Sequence, residues 1–414
     1  MVLIKPKRIP TNPKHKIASQ TLRKTSLITA LCLVIGSTLL GLTSAEIFIR
    51  YYGKYTAEGD FIVNGIKCYP YRLSLETLGS RLDYQIFKSK GHFRYDHLLG
   101  WTARENFSGP LYSYNSFGIR TQSSDDDIPK EIPLDKLRIA LFGDSFTHAE
   151  GVVFKDTWGQ LLENELRRSG INAEVLNFGF SAYGTDQAYL RWSRDGKQLH
   201  PHIVILGLQL ENINRNGNLI RPLYVPERLP RSKPRFISEN GALKLINTPV
   251  PHPKDVPDIV GNFKSWEYAP FEEWYDPADY IQHFWLKSRL VGFIYSWYQK
   301  EFGRVRSRED RLIDLTSDII LKFKNEAESS GSNFYVLFIP VRQEFVPMLS
   351  GRTTHQQSLL RSLKVAGVQI IDPSPALLDE LRKSGLISLI PYHYSPRANQ
   401  ILAQSVHDHI IQGR

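Results

Sequence analysis

Five short apolar runs alternate with stretches of helical spacing along the second two thirds of this chain, and little else could satisfy that rhythm but an α/β fold. LRIALFG (137–143), AEVLNFG (173–179), HIVILGL (202–208), NFYVLFIP (333–340) and VQIID (368–372) are short, mostly apolar and bounded by charge, glycine or proline. Strands buried on both faces of a parallel sheet read this way. Between them, WGQLLENELRRSG (158–170), TDQAYLRWSRDG (185–196), RLIDLTSDIILKFKNEAESSG (311–331) and residues 354–366 carry helical spacing, and PRANQILAQSVHDHII (396–411) closes the chain. The order predicts a three-layer α/β/α sandwich on a five-stranded, mainly parallel sheet.

The N-terminus obeys a different logic. Ser26 to Ala45 runs 20 residues without a charge, enough at ~1.5 Å per residue to cross a hydrocarbon core of about 30 Å. Residues 1–45 hold seven Lys or Arg (Lys5, Lys7, Arg8, Lys14, Lys16, Arg23, Lys24) and no acid; Glu46 is the first. The bias predicts a single-pass signal anchor with residues 1–25 cytoplasmic and the main body periplasmic or extracellular. Thr43 and Ala45 have signal-peptidase spacing, but the long basic region and full-length span favour an uncleaved anchor. The same count removes a nucleic-acid reading: the net charge is +10, yet residues 46–414 carry 45 basic and 42 acidic side chains, leaving no strong field for phosphates.

Residues 46–136, aromatic and turn-rich with weak periodicity, read as a stalk and lead-in. The domain proper is expected over 137–411, interrupted at about 213–310 by a Pro-rich then aromatic insertion. Such an insertion is either a structural flap or a lid whose aromatic faces stack on sugar rings. Cys32 falls in the span and Cys68 in the body, so no disulfide is expected. No Cys/His cluster has zinc spacing, and no metal or cofactor is expected.

Chemistry-bearing residues gather at the carboxyl ends of the strands, where α/β proteins bind ligands. Gly143-Asp144-Ser145-Phe146 ends the first run and puts a serine between strand and helix. Asn177-Phe178-Gly179-Phe180-Ser181 ends the second, and its glycine lets backbone N–H groups approach a ligand. Gly207-Leu208-Gln209-Leu210-Glu211-Asn212 ends the third and supplies an amide able to donate to a developing oxyanion. His393, in Tyr392-His393-Tyr394-Ser395-Pro396, precedes the last helix, as a general base for Ser145 would. Taken singly, each has a bland explanation, such as a helix cap or a structural histidine.

In order, these blocks resemble the SGNH/GDSL hydrolase superfamily, over roughly residues 137–411. The lead-in pieces His97-Leu98-Leu99-Gly100-Trp101 and Tyr114-Asn115-Ser116-Phe117-Gly118-Ile119-Arg120 resemble those of membrane-anchored members. The resemblance implies a flavodoxin-like SGNH fold, Ser145 as nucleophile with Asp144 in support, and His393 as base. It also implies an oxyanion hole from the Ser145 amide, Gly179 and Asn212. It departs from the family in two places. Leu210 occupies the glycine position of the third block and Ile213 follows Asn212 in place of aspartate. No acid stands two or three residues before His393, where Pro391 and Ile390 are found; Asp372 is a distant candidate.

The expectation is a membrane-anchored serine esterase or acyltransferase working through an acyl-Ser145 intermediate. By resemblance its partner is an acylated carbohydrate, such as an O-acetylated polysaccharide. Two alternatives stay open: a catalytically degenerate carbohydrate-binding or assembly protein, and a lipid-directed ester hydrolase.

Overall fold

The structure is a computed structural model that describes residues 13–55, 61–68, 74–225, 227–280, 284–302 and 305–413. Lys5, Lys7 and Arg8, assigned above to a cytoplasmic segment, lie outside the described residues. The chain divides into two compact units: residues 1–73 with 279–302, and 74–278 with 303–414.

The larger unit is an α/β/α sandwich. Its sheet holds β1 (Phe107–Ser108), β2 (Ser113–Tyr114), β3 (Arg120–Thr121), β4 (Leu137–Gly143), β5 (Ala173–Asn177), β6 (Ile203–Leu208), β7 (Asn333–Phe338) and β8 (Gln369–Ile371), in the order β8-β7-β6-β4-β5-β3-β2-β1. The five strands from β8 to β5 are parallel, and the three from β3 to β1 add antiparallel at one edge. These are the five strands the apolar runs predict.

Because side chains alternate across a strand, each run feeds two cores. Ala140, Phe142, Val204, Leu206, Val336 and Phe338 face one layer with Phe323 and Trp192. Ile139, Leu141, Ile205, Leu337 and Ile339 face the other with Trp158, Leu162 and Leu402. The helices that matter below are α1 (Ser145–His148), α2 (Trp158–Arg168), α3 (Thr185–Arg191), α4 (Glu211–Asn216), α5 (Arg221–Tyr224), α6 (Val305–Ser329) and α7 (Pro396–Gln412). From β4 the chain turns to β5 on one side and later to β6 on the other. The crevice where strand order reverses therefore lies beside Ser145.

The lead-in departs from the expectation of a stalk. Its part from residue 74 belongs to the larger unit. Phe93–Asp96 and Gly100–Ala103 form a hairpin, β1 to β3 extend the main sheet, and Leu99, Trp101, Tyr114 and Ile119 are buried in its core. Two-residue strands are too short to show a period of two, which is why the sequence pattern missed them.

The smaller unit begins with the helix Pro13–Tyr52. Within its stretch Leu27–Tyr52, an 18-residue window has mean hydropathy 2.0 and is wholly unburied, and the stretch is long and apolar enough to cross a membrane. Just past the uncharged run, Glu46 accepts hydrogen bonds from Arg289 N (2.9 Å), Leu290 N (2.7 Å) and Ser288 Oγ (2.8 Å), satisfying orphan donors at the start of the helix Arg289–Phe302. Ile49, Phe61, Val63 and Cys68 pack there with Leu290 and Phe293. Residues 279–302, expected inside the insertion of the main domain, thus group with the N-terminal helix.

Candidate active site

Ser145 is the first residue of α1, directly after β4, and the turn that puts it there depends on glycine. Gly143 has φ 152°, and a Cβ on it would lie 2.2 Å from Thr147 Oγ1 and 2.7 Å from the Gly207 carbonyl. No other residue allows the strand end and helix start to meet so closely. Asp144 caps the helix through Phe146 N (2.9 Å). Its second oxygen accepts from Arg215 Nη1 at 2.8 Å and Asn212 Nδ2 at 3.1 Å, which ties the end of β4 to α4 beyond β6. All three side chains are buried.

The lead-in holds α1 from the other side. The buried Arg120 guanidinium donates to the carbonyls of His148, Ala149 (2.7 Å) and Val152 (2.5 Å), at the carboxyl end of α1 and just past it. A cation there suits the negative end of a helix, and burial pulls Arg120 down to about 10. Tyr114 Oη bonds His148 Nε2 at 2.9 Å, and burial holds that imidazole neutral, well below its usual range. Trp101 Nε1 donates to Ser181 O (2.9 Å) and Tyr183 Oη to Trp101 O (2.8 Å), fixing the loop after β5. The two lead-in pieces are thus braces for the turn that carries Ser145.

A cavity of about 720 Å³ opens over these strand ends, and Ser145 and His393 both line it. The His393 ring lies 4.9 Å from Phe146 and 5.0 Å from Tyr392, centroid to centroid. Its Nε2 stands 3.7 Å from a Glu150 carboxylate oxygen, within ion-pair reach but longer than a hydrogen bond. Asp372 is elsewhere: exposed, it caps the start of the helix Ser374–Ser384 through Ser374 N.

Gly179 and Asn212 do not line the cavity. The Gly179 N–H donates to Asn177 Oδ1 (3.0 Å), and a Cβ on it would meet His148 N at 2.6 Å, so its smallness serves the packing of α1. Asn212 gives its amide hydrogens to Asp144 and to Tyr183 O (3.2 Å), while its oxygen accepts from Gln209 N (3.1 Å). Three residues beyond Gly179, Ala182 does line the cavity, in a left-handed conformation (φ 61°) unusual for a residue with a Cβ. Gln209, also lining, leaves its buried Oε1 without a partner.

Sequence reasoning missed Glu150, Ala182 and the arginines of the cavity wall. Glu150 follows the Gly-Asp-Ser block by only a few residues and carried a signal of proximity; Ala182 and the arginines carried none.

No protein-family model matches the sequence, and no curated protein matches it. Among solved structures, an acetyl xylan esterase aligns at 12% identity over 66% of this chain and 100% of its own, with a TM-score of 0.37. An acetylxylan esterase from Geobacillus stearothermophilus aligns at 11% over 66% and 94%, TM-score 0.37. A GDSL-like lipase from Bacteroides thetaiotaomicron aligns at 12% over 69% and 93%, TM-score 0.33.

Proposed function

We propose that this protein is a membrane-anchored serine ester hydrolase, with Ser145 as nucleophile, His393 as general base and Glu150 in place of the missing acid. The observation that carries the reading is that Ser145 and His393 share one cavity at the strand-order reversal, with the Glu150 carboxylate 3.7 Å from the imidazole.

In the first half-reaction Ser145 Oγ attacks the acyl carbonyl carbon while His393 accepts the hydroxyl proton. Glu150 stabilises the resulting imidazolium. Charge developing on the carbonyl oxygen meets the Ser145 N–H, an orphan donor at the first turn of α1, and the Ala182 N–H from the facing loop. Collapse breaks the bond to the alkoxy oxygen, which leaves as the alcohol with the proton from His393. Water then attacks acyl-Ser145, giving up its proton through His393; the carboxylic acid leaves and the hydroxyl is restored. A sugar hydroxyl in place of water makes the same acyl-enzyme a transferase intermediate. Asp144 and Asn212 act as positioning residues that hold the turn. The acyl donor we propose, from the sequence resemblance, is an O-acetylated polysaccharide outside the cytoplasm.

The test is hydrolysis of p-nitrophenyl acetate by the detergent-solubilised full chain beside Ser145→Ala. Turnover at least about 10³-fold above the variant is expected. Equal rates in two equally folded proteins would remove Ser145 from the chemistry and favour a binding-only site.

A further inference from the structure

The cavity that holds Ser145 has more cation in its wall than ester hydrolysis needs. Arg215, Arg221, Arg231 and Arg342 line it. The facing carboxylates are Glu150, Glu211 and Glu227, and Asp144, just behind the wall, adds a fourth counter-charge at Arg215. Three of the arginines are committed. Arg215 is held by Asp144 and by Glu211 at 3.1 Å. Arg231 forks onto both oxygens of Glu227, one bond being 2.9 Å. Arg342, at the exposed rim, donates to Ile390 O at 3.3 Å.

Arg221 differs from the others. It is 6% exposed, and neither Nε nor Nη1 has a hydrogen-bond partner among the described residues. The nearest carboxylate oxygen, of Glu227, is 3.8 Å from Nε and already serves Arg231. A buried guanidinium with open donors carries a desolvation penalty that a bound anion would remove. Burial and the nearby Arg231 and Arg215 charges pull it down to about 10, as expected for a cation short of counter-charge.

We propose that Arg221 is a specificity residue that receives a carboxylate on the acylated substrate, making the preferred substrate an acidic, uronate-type glycan. The inference rests on the esterase reading for the word substrate, but the anion site stands on Arg221 alone. A carboxylate fits better than a phosphate for two reasons. The open donors belong to a single guanidinium, whose one charge a monoanion matches. Three glutamates on the same wall would repel a dianion, and a planar carboxylate accepts the parallel donors of a guanidinium.

The test is calorimetric titration of the full-length Ser145→Ala protein in detergent, where nothing turns over. The probes are an oligogalacturonate, a xylo-oligosaccharide of the same length as neutral control, and inorganic phosphate. The acidic oligomer should bind at least tenfold tighter than the neutral one and lose most of that advantage at high salt. Adding Arg221→Gln should weaken acidic binding at least tenfold and leave neutral binding unchanged. Equal binding of acidic and neutral oligomers would overturn the proposal, and needs no Arg221 variant. So would undiminished acidic binding by an Arg221→Gln protein with a native melting profile, or tighter binding of phosphate than of the oligomer. A wild-type protein that hydrolyses no ester, yet shows the Arg221-dependent preference, would defeat the esterase reading and leave the anion site standing.

Discussion

At the scale of single residues the site rests on partners brought together across very different sequence distances. Ser145 could be named as a candidate because it stands at a strand-to-helix junction, and His393 because its loop directly precedes the last helix. Glu150 was not recognisable as their partner, because its contact with His393 joins positions 243 apart in the chain. In Ser-His-Asp hydrolases an acid orients the imidazole and stabilises its charged form, and its loss costs up to about 10⁴ in rate. Glu150 sits at 3.7 Å and part-exposed, so its effect should be smaller. We expect Glu150→Gln to lower kcat about 10- to 100-fold while KM and the melting temperature stay close to wild type. An unchanged kcat would mean that His393 works without a carboxylate.

Between elements, the turns are held by buried polar ties rather than by apolar packing alone. Strand runs are visible in sequence because hydrophobicity is local; ties such as Asn212 to Asp144 are not, because either residue could as well cap its own turn. The position of Asn212 was legible, but its hydrogen bonds were not. With both amide hydrogens and its oxygen paired inside the protein, Asn212→Ala should leave Gln209 N unpaired and Asp144 one donor short. A loss of about 1–3 kcal/mol and a melting point lower by several degrees follow. A sharp fall in kcat with an unshifted melting curve would instead give Asn212 a direct part in oxyanion binding. The lead-in hairpin is tied in a comparable way. Asp96, 3% exposed, accepts from Arg194 Nη1 at 2.8 Å on both oxygens and from Leu98 and Leu99 N. Burial alone would raise its carboxyl; Arg194 and the backbone donors outweigh that and hold it below the usual 3.8. A depressed native value contributes stability that is present above pH 3.8 and lost as pH falls through the native value. Asp96→Asn should therefore be less stable than wild type by roughly 1–3 kcal/mol at pH 7. The gap should narrow below pH 4, and thermal melts at pH 7, 5, 4 and 3 measure it. A gap that is constant across that range would detach Asp96 from the acid sensitivity of the fold.

For the whole molecule, the question is which side of a membrane the larger unit occupies. The helix through Leu27–Tyr52 would expose a long run of leucine, isoleucine and valine to water, with Leu27, Leu33 and Leu40 each more than two-thirds exposed. At ~25 cal/mol per Å² a solvated helix of that kind is strongly disfavoured against one in lipid. Orientation then follows from charge. Lysine and arginine crowd the N-terminal flank, and the first acid, Glu46, is engaged at the start of Arg289–Phe302. On the topology proposed for this chain, the positive flank would stay in the cytoplasm, with Ser145 and its cavity outside. Protease added to intact spheroplasts should therefore digest the larger unit and leave only a membrane-protected N-terminal fragment, while a cytoplasmic marker survives. Moving the charge should move the protein: with Lys14, Lys16, Arg23 and Lys24 replaced by glutamine and lysines added after Tyr52, a fraction of the chains should become protected. Full protection of the wild-type chain in spheroplasts, with digestion after lysis, would put the cavity in the cytoplasm and rule out an exported glycan as its substrate.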